Sequence, residues 1–487
     1  MSSKTTLLTV TKVNEVFVKI HCDKSEAMEL SEYFTFYVPG YKFMPTFRNK
    51  IWDGRIRLFN SQNHTIYYGL IPYIEKFCQE RGYDFALDNT IDIAEEFSLD
   101  EAMAFIDTLG LPFEPRDYQI KAFVFAIRNK RHMLLSPTAS GKSLIIYLIT
   151  RYLNGKTLII VPTISLVAQL FKDFKDYGYD SETHCHQIFA GESKHSDKSI
   201  IISTWQSIYK LPKEWFDQFD VVIGDEAHLF KAKSLTTIMS NLTECGYRFG
   251  LTGTLDGTQT HRLVLEGLFG IVKKITTTKE LIDSGKLAKF KIKALILKHS
   301  EEVSKQIKNY KYQEEIEYLI SSSARNRFIR NLAISLKGNT LILYQFVEKH
   351  GKVLDKMIRD VSEDRMVFFV HGKVDVEERE AVRAITEKES NAIIIASYGT
   401  FSTGINIRNL HNIVFASPSK SKIRTLQSIG RGLRIGDSKE EATLFDIADD
   451  ITHKSKQNFT LQHFVERMKI YNEEKFDYKI YTINLKE

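Results

Sequence analysis

Cysteine is scarce in this sequence. Cys22, Cys78, Cys185 and Cys245 stand at no paired spacing, which argues against both a disulfide framework and a zinc site. No apolar run approaches the roughly 18 residues that cross a bilayer. The opening Met-Ser-Ser-Lys, followed by alternating Thr, Leu and Val, lacks the apolar centre of a signal peptide. These absences predict a soluble, cytoplasmic protein with no membrane partner. Repeats and low-complexity tracts are absent too. His184-Cys185-His186 has the composition of a metal site, but neighbours on a strand face opposite ways, so a partly buried strand is the better reading. Charge of one sign is in small excess: the net +6 permits nucleic-acid binding and leaves local patches to decide it.

A chain of 487 residues is too long for one hydrophobic core and predicts several domains. Residues 1–88 read as a small α+β domain: an alternating strand over 7–21, a helix over 25–34, a hairpin over 55–68 and a helix over 71–81. Within it, Tyr41, Phe43, Phe47, Trp52 and Phe59 interleave with Lys42, Arg48, Lys50, Arg55 and Arg57. That composition suits phosphates and base faces; the same aromatics would also serve as a core with a solvated cationic rim, and both readings stay open. An acidic stretch follows, with Ser98 and Glu101 spaced as a capping box. Buried strands alternate with helices over 89–282 and again over 283–450, predicting two tandem parallel-sheet domains with helices on both faces. A helix and a last strand over 451–487 read as an extension packed on the second of them.

The most informative stretch is Ser136-Pro137-Thr138-Ala139-Ser140-Gly141-Lys142-Ser143, entered by an apolar run and left by a helical pattern. In a phosphate-binding loop of this kind the backbone N–H groups cradle phosphates, Lys142 neutralises their oxygens and the Ser143 hydroxyl holds Mg²⁺. Ser136 and Ala139 stand where glycines are common. A second apolar run ends in Asp225-Glu226-Ala227-His228, where Asp225 suits the metal and Glu226 the attacking water. Arg431 and Arg434, three apart in Gln427-Ser-Ile-Gly-Arg-Gly-Leu-Arg434, share a helical face and suit stabilisation of a transferring phosphoryl group.

In their order along the chain these motifs resemble the superfamily 2 helicases and translocases. The resemblance implies two RecA-like domains, ATP and Mg²⁺ as cofactors, and further roles by motif. Arg116 and Gln119 of Arg-Asp-Tyr-Gln would recognise adenine. Pro162 and Thr163, Thr204 and Gln206, and Thr400 would grip a nucleic-acid strand. Gly404 and Asn406, closing Ser397–Asn406, and Gln427 would line the nucleotide. The small first domain, the Thr-Phe-Ser-Thr-Gly-Ile-Asn wording and the short extension resemble, more narrowly, recombination helicases of T-even bacteriophages. That implies a monomeric 3′-to-5′ motor acting on single-stranded and branched DNA and on R-loops. An RNA or hybrid helicase, a duplex translocase that separates no strands, and a clamp without hydrolysis are the rival readings.

Overall fold

In the computed structural model, residues 6–91, 94–189, 191–229, 232–255, 259–404, 407, 409–417, 421, 428–430, 433 and 441–486 are described. They form two compact units, Met1–Ser136 with Gly141–Ile275, and Pro137–Ser140 with Thr276–Glu487.

The first unit is built on a seven-stranded sheet, in the order Val272–Lys274, Arg131–Leu135, Tyr247–Thr252, Val221–Asp225, Thr157–Val161, Ile200–Thr204, Cys185–Ile188. Every pairing is parallel. Alternation along a strand sends its side chains to two cores. Leu158 and Ile160 enter one, Ile159 and Val161 the other; Val222 parts from Val221 and Ile223 in the same way. Such doubly covered strands are apolar throughout, which is why they read as continuous runs. His184-Cys185-His186 falls at the outermost strand: Cys185 is buried, the His184 ring stacks on Tyr179 and His186 bonds the Ser193 carbonyl.

The N-terminal residues form a four-stranded sheet with helices Lys24–Tyr33 and Ile71–Arg81. Residues 7–21, expected as one strand, are instead an antiparallel pair, Leu7–Lys12 and Phe17–His21. Asn14 closes the turn, its Oδ1 accepting from the Val16 and Phe17 amides at 2.8 and 2.9 Å. The turn preserves phase, so Leu8, Val10, Val16, Val18 and Ile20 are all buried and the alternation hides the reversal. The hairpin expected over 55–68 is also corrected. Arg55–Arg57 pairs with Thr35–Tyr37 in a separate two-stranded sheet, whereas Thr65–Tyr67 pairs with Phe17–His21. Strand partners are set by long-range packing, which local pattern does not carry.

The small sheet is joined to the large one by a common core. Tyr68, Leu70, Ile74 and Phe77 belong to the same apolar cluster as Met133, Leu263 and Leu268. A Cβ on Gly69 would lie 2.0 Å from the Glu266 carbonyl oxygen, so the two backbones approach as closely as glycine permits. The Arg131 guanidinium lies 3.6 Å from the Tyr68 ring centroid and pairs with the Glu15 carboxylate at 2.5 Å. Tyr73 donates to buried Glu266 at 2.6 Å.

The second unit has its own seven-stranded parallel sheet, ordered Val367–Val370, Ile393–Ser397, Thr340–Tyr344, Asn412–Phe415, Glu441–Asp450, Lys289–Lys298, Tyr478–Asn484. The C-terminal segment is built into it: its strand pairs with Lys289–Lys298 in parallel register. Its helix, Phe459–Glu473, buries Arg467 against Asp446 at 2.8 Å, with the Tyr471 hydroxyl on the same carboxylate.

Candidate ATPase site

Strand Arg131–Leu135 delivers the chain to the loop, and helix Lys142–Leu153 leaves it. Ser136 is tied at the loop's entrance, its amide donating to the Thr252 carbonyl at 2.9 Å. Gly141 caps the helix at φ 76°, and a Cβ there would meet the Gln119 amide nitrogen at 2.4 Å. Glycine is therefore required twice over, by conformation and by space. Ala139 holds φ 68° without that freedom, strain of the kind that collects at ligand-binding loops.

Gln119 is fully engaged in placing this loop. Its Oε1 accepts from the Arg116 amide at 2.8 Å and its Nε2 donates to the Gly141 carbonyl at 3.2 Å. The Arg116 guanidinium donates to the Tyr118 hydroxyl at 2.8 Å. The expected adenine-reading pair thus stands beside the phosphate loop.

The acidic motif completes the constellation. Lys142 Nζ lies 3.3 Å from Glu226 Oε1, and His228 Nδ1 lies 3.5 Å from Glu226 Oε2. Glu226 itself sits at φ 48°, left-handed backbone that a non-glycine residue adopts at a cost. The Asp225 carboxylate is buried and accepts from the Glu226 amide at 2.9 Å. Burial, then the neighbouring Glu226 carboxylate, raise its pKa, and Lys142 opposes them. A buried carboxylate in that state gains from a further cation. Ser143, on the first turn, shares a 2.8 Å hydrogen bond with the Tyr177 hydroxyl. One carboxylate and one hydroxyl beside a phosphate cradle are the donors Mg²⁺ takes, because it keeps waters and phosphate oxygens as its other ligands. The residues fit that ion.

His228 also bonds the Thr252 hydroxyl, and Thr252 Oγ1 donates to the Thr254 carbonyl at 2.7 Å. His228 Nδ1 therefore bonds the Leu251-Thr252-Gly253-Thr254 turn while lying beside the Glu226 carboxylate. Sequence reading missed this contact, together with Tyr177 at Ser143; neither leaves a signal in local spacing.

The expected strand-gripping residues are brought partly together. Thr163 caps helix Ile164–Asp176, accepting from the Leu166 amide, and Gln206 Nε2 donates to the Pro162 carbonyl at 3.2 Å. Thr204 is buried with its hydroxyl bonded to Ser207 at 2.9 Å. In the second unit Thr400 is buried and bonded to Ser397 at 2.7 Å. Gly404 ends helix Tyr398–Gly404, and Asn406, Gln427, Arg431 and Arg434 lie outside the described residues.

The aromatic and cationic segment over 41–59 forms an exposed loop of two short helical turns, Tyr41–Phe43 and Pro45–Arg48, that leads into the strand Arg55–Arg57. Phe59 is buried, but Phe43 is 75% and Ile51 76% exposed. Tyr37 stacks on Tyr41 at 4.7 Å, Phe47 meets Tyr41 edge-on and Trp52 donates to the Arg55 carbonyl. Gly54, at φ 80°, admits the Tyr41 ring where a Cβ would overlap it at 2.2 Å. Lys42, Arg48, Lys50, Arg55 and Arg57 are all exposed. Arg55 lies over Tyr37 at 4.6 Å, and Arg57 pairs with Asp53. The aromatics brace one another while apolar tips and cations face solvent.

Three family models match the chain: "DNA helicase UvsW, N-terminal" over residues 10–88, "Type III restriction enzyme, res subunit" over 112–257, and "Helicase conserved C-terminal domain" over 323–436. The ATP-dependent DNA helicase uvsW of Enterobacteria phage T4 is 38% identical, covering 96% of this chain and 98% of its own. The DNA 3′-5′ translocase XPB2 of Sulfurisphaera tokodaii is 26% identical over 70% of this chain and 84% of its own. The crystal structure of T4 UvsW superposes with a TM-score of 0.52 and 36% identity, covering 98% of this chain and all of that one. The phosphate loop, the Asp225–His228 turn and this agreement along nearly the whole chain place the protein in the UvsW family of superfamily 2 helicases, ATP-dependent DNA helicases.

Proposed function

We propose that the protein uses Mg²⁺ and ATP to move along single-stranded DNA and to unwind or branch-migrate branched DNA, Holliday junctions, stalled forks and R-loops, during recombination and replication. The observation that carries this reading is the exposed loop over 41–57, whose Phe43, Ile51 and cations are fixed through a common core to the ATPase sheet. Exposed apolar side chains flanked by cations suit a point where a duplex parts. A part held by a continuous core moves with the motor.

At the ATPase site, Lys142 binds the β- and γ-phosphates, with the loop N–H groups around them. Ser143 and Asp225 hold Mg²⁺, which supplies neutralisation of the phosphate oxygens when bound. As the phosphate takes the Lys142 ammonium, the Glu226 carboxylate is released from its 3.3 Å ion pair. It then orients the attacking water and accepts its proton. Arg431 and Arg434 stabilise charge on the transferring group, and Gln427, Gly404 and Asn406 line the nucleotide. Pro162, Thr163, Thr204, Gln206 and Thr400 shape the backbone that follows strand phosphates; such contacts carry little sequence information. Residues 1–88 serve as the reader of branched substrate, and hybrids enter the range through R-loops.

The first test is electrostatic. Changing Arg48, Lys50, Arg55 and Arg57 together to Gln should weaken fork and junction binding and flatten log K against log salt, by up to about 0.9 in slope for each lost duplex contact. Fork unwinding should fall in parallel. Unchanged junction affinity, slope and branch migration would leave the segment a structural cap. A second expectation concerns the arginines: Arg434→Ala should keep nucleotide affinity and slow kcat on the order of 10³-fold or more if it acts as the finger. Arg431→Ala is its pair, and unchanged turnover in both would remove them from the chemistry.

A further inference from the structure

Beside the exposed loop, the small N-terminal sheet carries a cavity of about 620 Å³ that the ATPase site does not use. Phe17 and Tyr67 form one wall, their rings stacked at 5.2 Å and 22°. Both are half-buried. Tyr67 also packs against the ATPase domain, where a Cβ on Gly267 would lie 2.9 Å from its own Cβ. The rim is a turn carrying three exposed side-chain amides, Asn60, Gln62 and Asn63. Asn60 Oδ1 accepts from the Gln62 backbone N–H at 2.9 Å, and Asn63 Oδ1 from the Thr65 backbone N–H and hydroxyl at 3.2 and 2.7 Å. Those bonds fix the rim while using only the side-chain oxygens, so the Nδ2 groups of Asn60 and Asn63 and the Gln62 side-chain amide make no bond among the described residues.

The chemistry of the lining narrows the occupant. Arg57, the one cation of the lining, is exposed and pairs with Asp53 at 2.5 Å, and every other lining side chain is uncharged. A phosphate would find little positive charge there. A neutral, flat group with donors and acceptors at its edge meets both features, the aromatic wall for its face and the amides for its edge. Nucleobases have that description, and side-chain amides are the groups that pair with base edges in two-point contact.

We propose that this cavity takes a single unpaired nucleobase from the DNA strand released at a branch. The inference rests on the branched-DNA reading above and adds a base-binding site to it. A base can enter only once it is unpaired, so occupancy reports that the duplex has opened next to the loop. The cavity thereby favours forks and junctions over intact duplex without reading sequence.

The test uses the full-length protein and synthetic forks, one of natural sequence and a set in which a single position, moved stepwise through the first few nucleotides of each arm, is abasic. The abasic site keeps the phosphate backbone and removes the base. Binding should be about 5- to 150-fold weaker at one position of one arm and unaltered elsewhere, the factor expected for losing one stacked base. In Gln62→Ala, an exposed change, and in Phe17→Leu the difference between natural and abasic forks at that position should shrink. Thermal unfolding of each variant checks that it is folded. Equal binding of natural and abasic forks at every position by the parent protein overturns the proposal, as does a parent-like difference in folded Gln62→Ala and Phe17→Leu. The two readings fail separately: a protein that unwinds forks with ATP yet ignores the missing base loses only this site, whereas one that never remodels forks loses the branched-DNA function itself.

Discussion

Lys142→Ala is expected to abolish nucleic-acid-stimulated ATP hydrolysis, lowering kcat on the order of 10²- to 10³-fold or more, as removal of one preorganised charge partner does. Lys142 opens the helix that follows the phosphate loop, and its ammonium lies 3.3 Å from Glu226. It is also the group that opposes the upward push on the buried Asp225 carboxyl. Alanine therefore removes a phosphate contact that strengthens in the transition state and also leaves two adjacent acids without their cation. Both losses act on hydrolysis, and the fold should survive because the helix keeps its capping glycine and its buried Leu144–Leu148 face. Steady-state ATPase with saturating single-stranded DNA, set beside a thermal unfolding curve, checks it. Near-normal turnover in the folded variant would remove the loop from the chemistry.

The largest expected effect on stability comes from deleting residues 1–88. A chain starting near Asp88 should melt lower by at least about 10 °C or aggregate, because breaking even one buried charged pair costs roughly 3–5 kcal/mol. The deletion takes Glu15 and Tyr68 from Arg131, takes the Tyr73 hydroxyl from Glu266, and uncovers Leu263 and Leu268. Composition presents these residues as a separable domain; the shared core makes them one wall of the ATPase domain. Calorimetry of the truncated and full chains distinguishes the two. If the truncated chain melts like the parent, the contacts around Gly69 and Arg131 contribute little. The salt-slope variant then carries the test of substrate reading, since its exposed cations leave this core untouched.

Much of the architecture was legible because it is local. Strands buried on both faces are apolar throughout, as Thr157–Val161 and Thr340–Tyr344 are, and the Ser98 capping box forms as its spacing requires. The two misread segments have different causes. The local turn at Asn14 keeps the alternation in phase and so hides itself, whereas the strands at Arg55 and Thr65 choose partners in different sheets, which distant residues decide.

By itself, the sequence determined the two parallel-sheet domains, the phosphate loop and its acidic partner, and the superfamily, because each rests on residue types at fixed spacing or on burial period. Only the tertiary structure decided that Gln119 braces Gly141, that His228 bonds Thr252 beside Glu226, and that the small sheet shares the ATPase core. It also placed the aromatic segment side chain by side chain: Phe59 turns inward, whereas Phe43 and Ile51 stay in solvent. These are matters of which distant surfaces meet. Composition states what a residue can do, and packing over the whole domain selects where its side chain is placed.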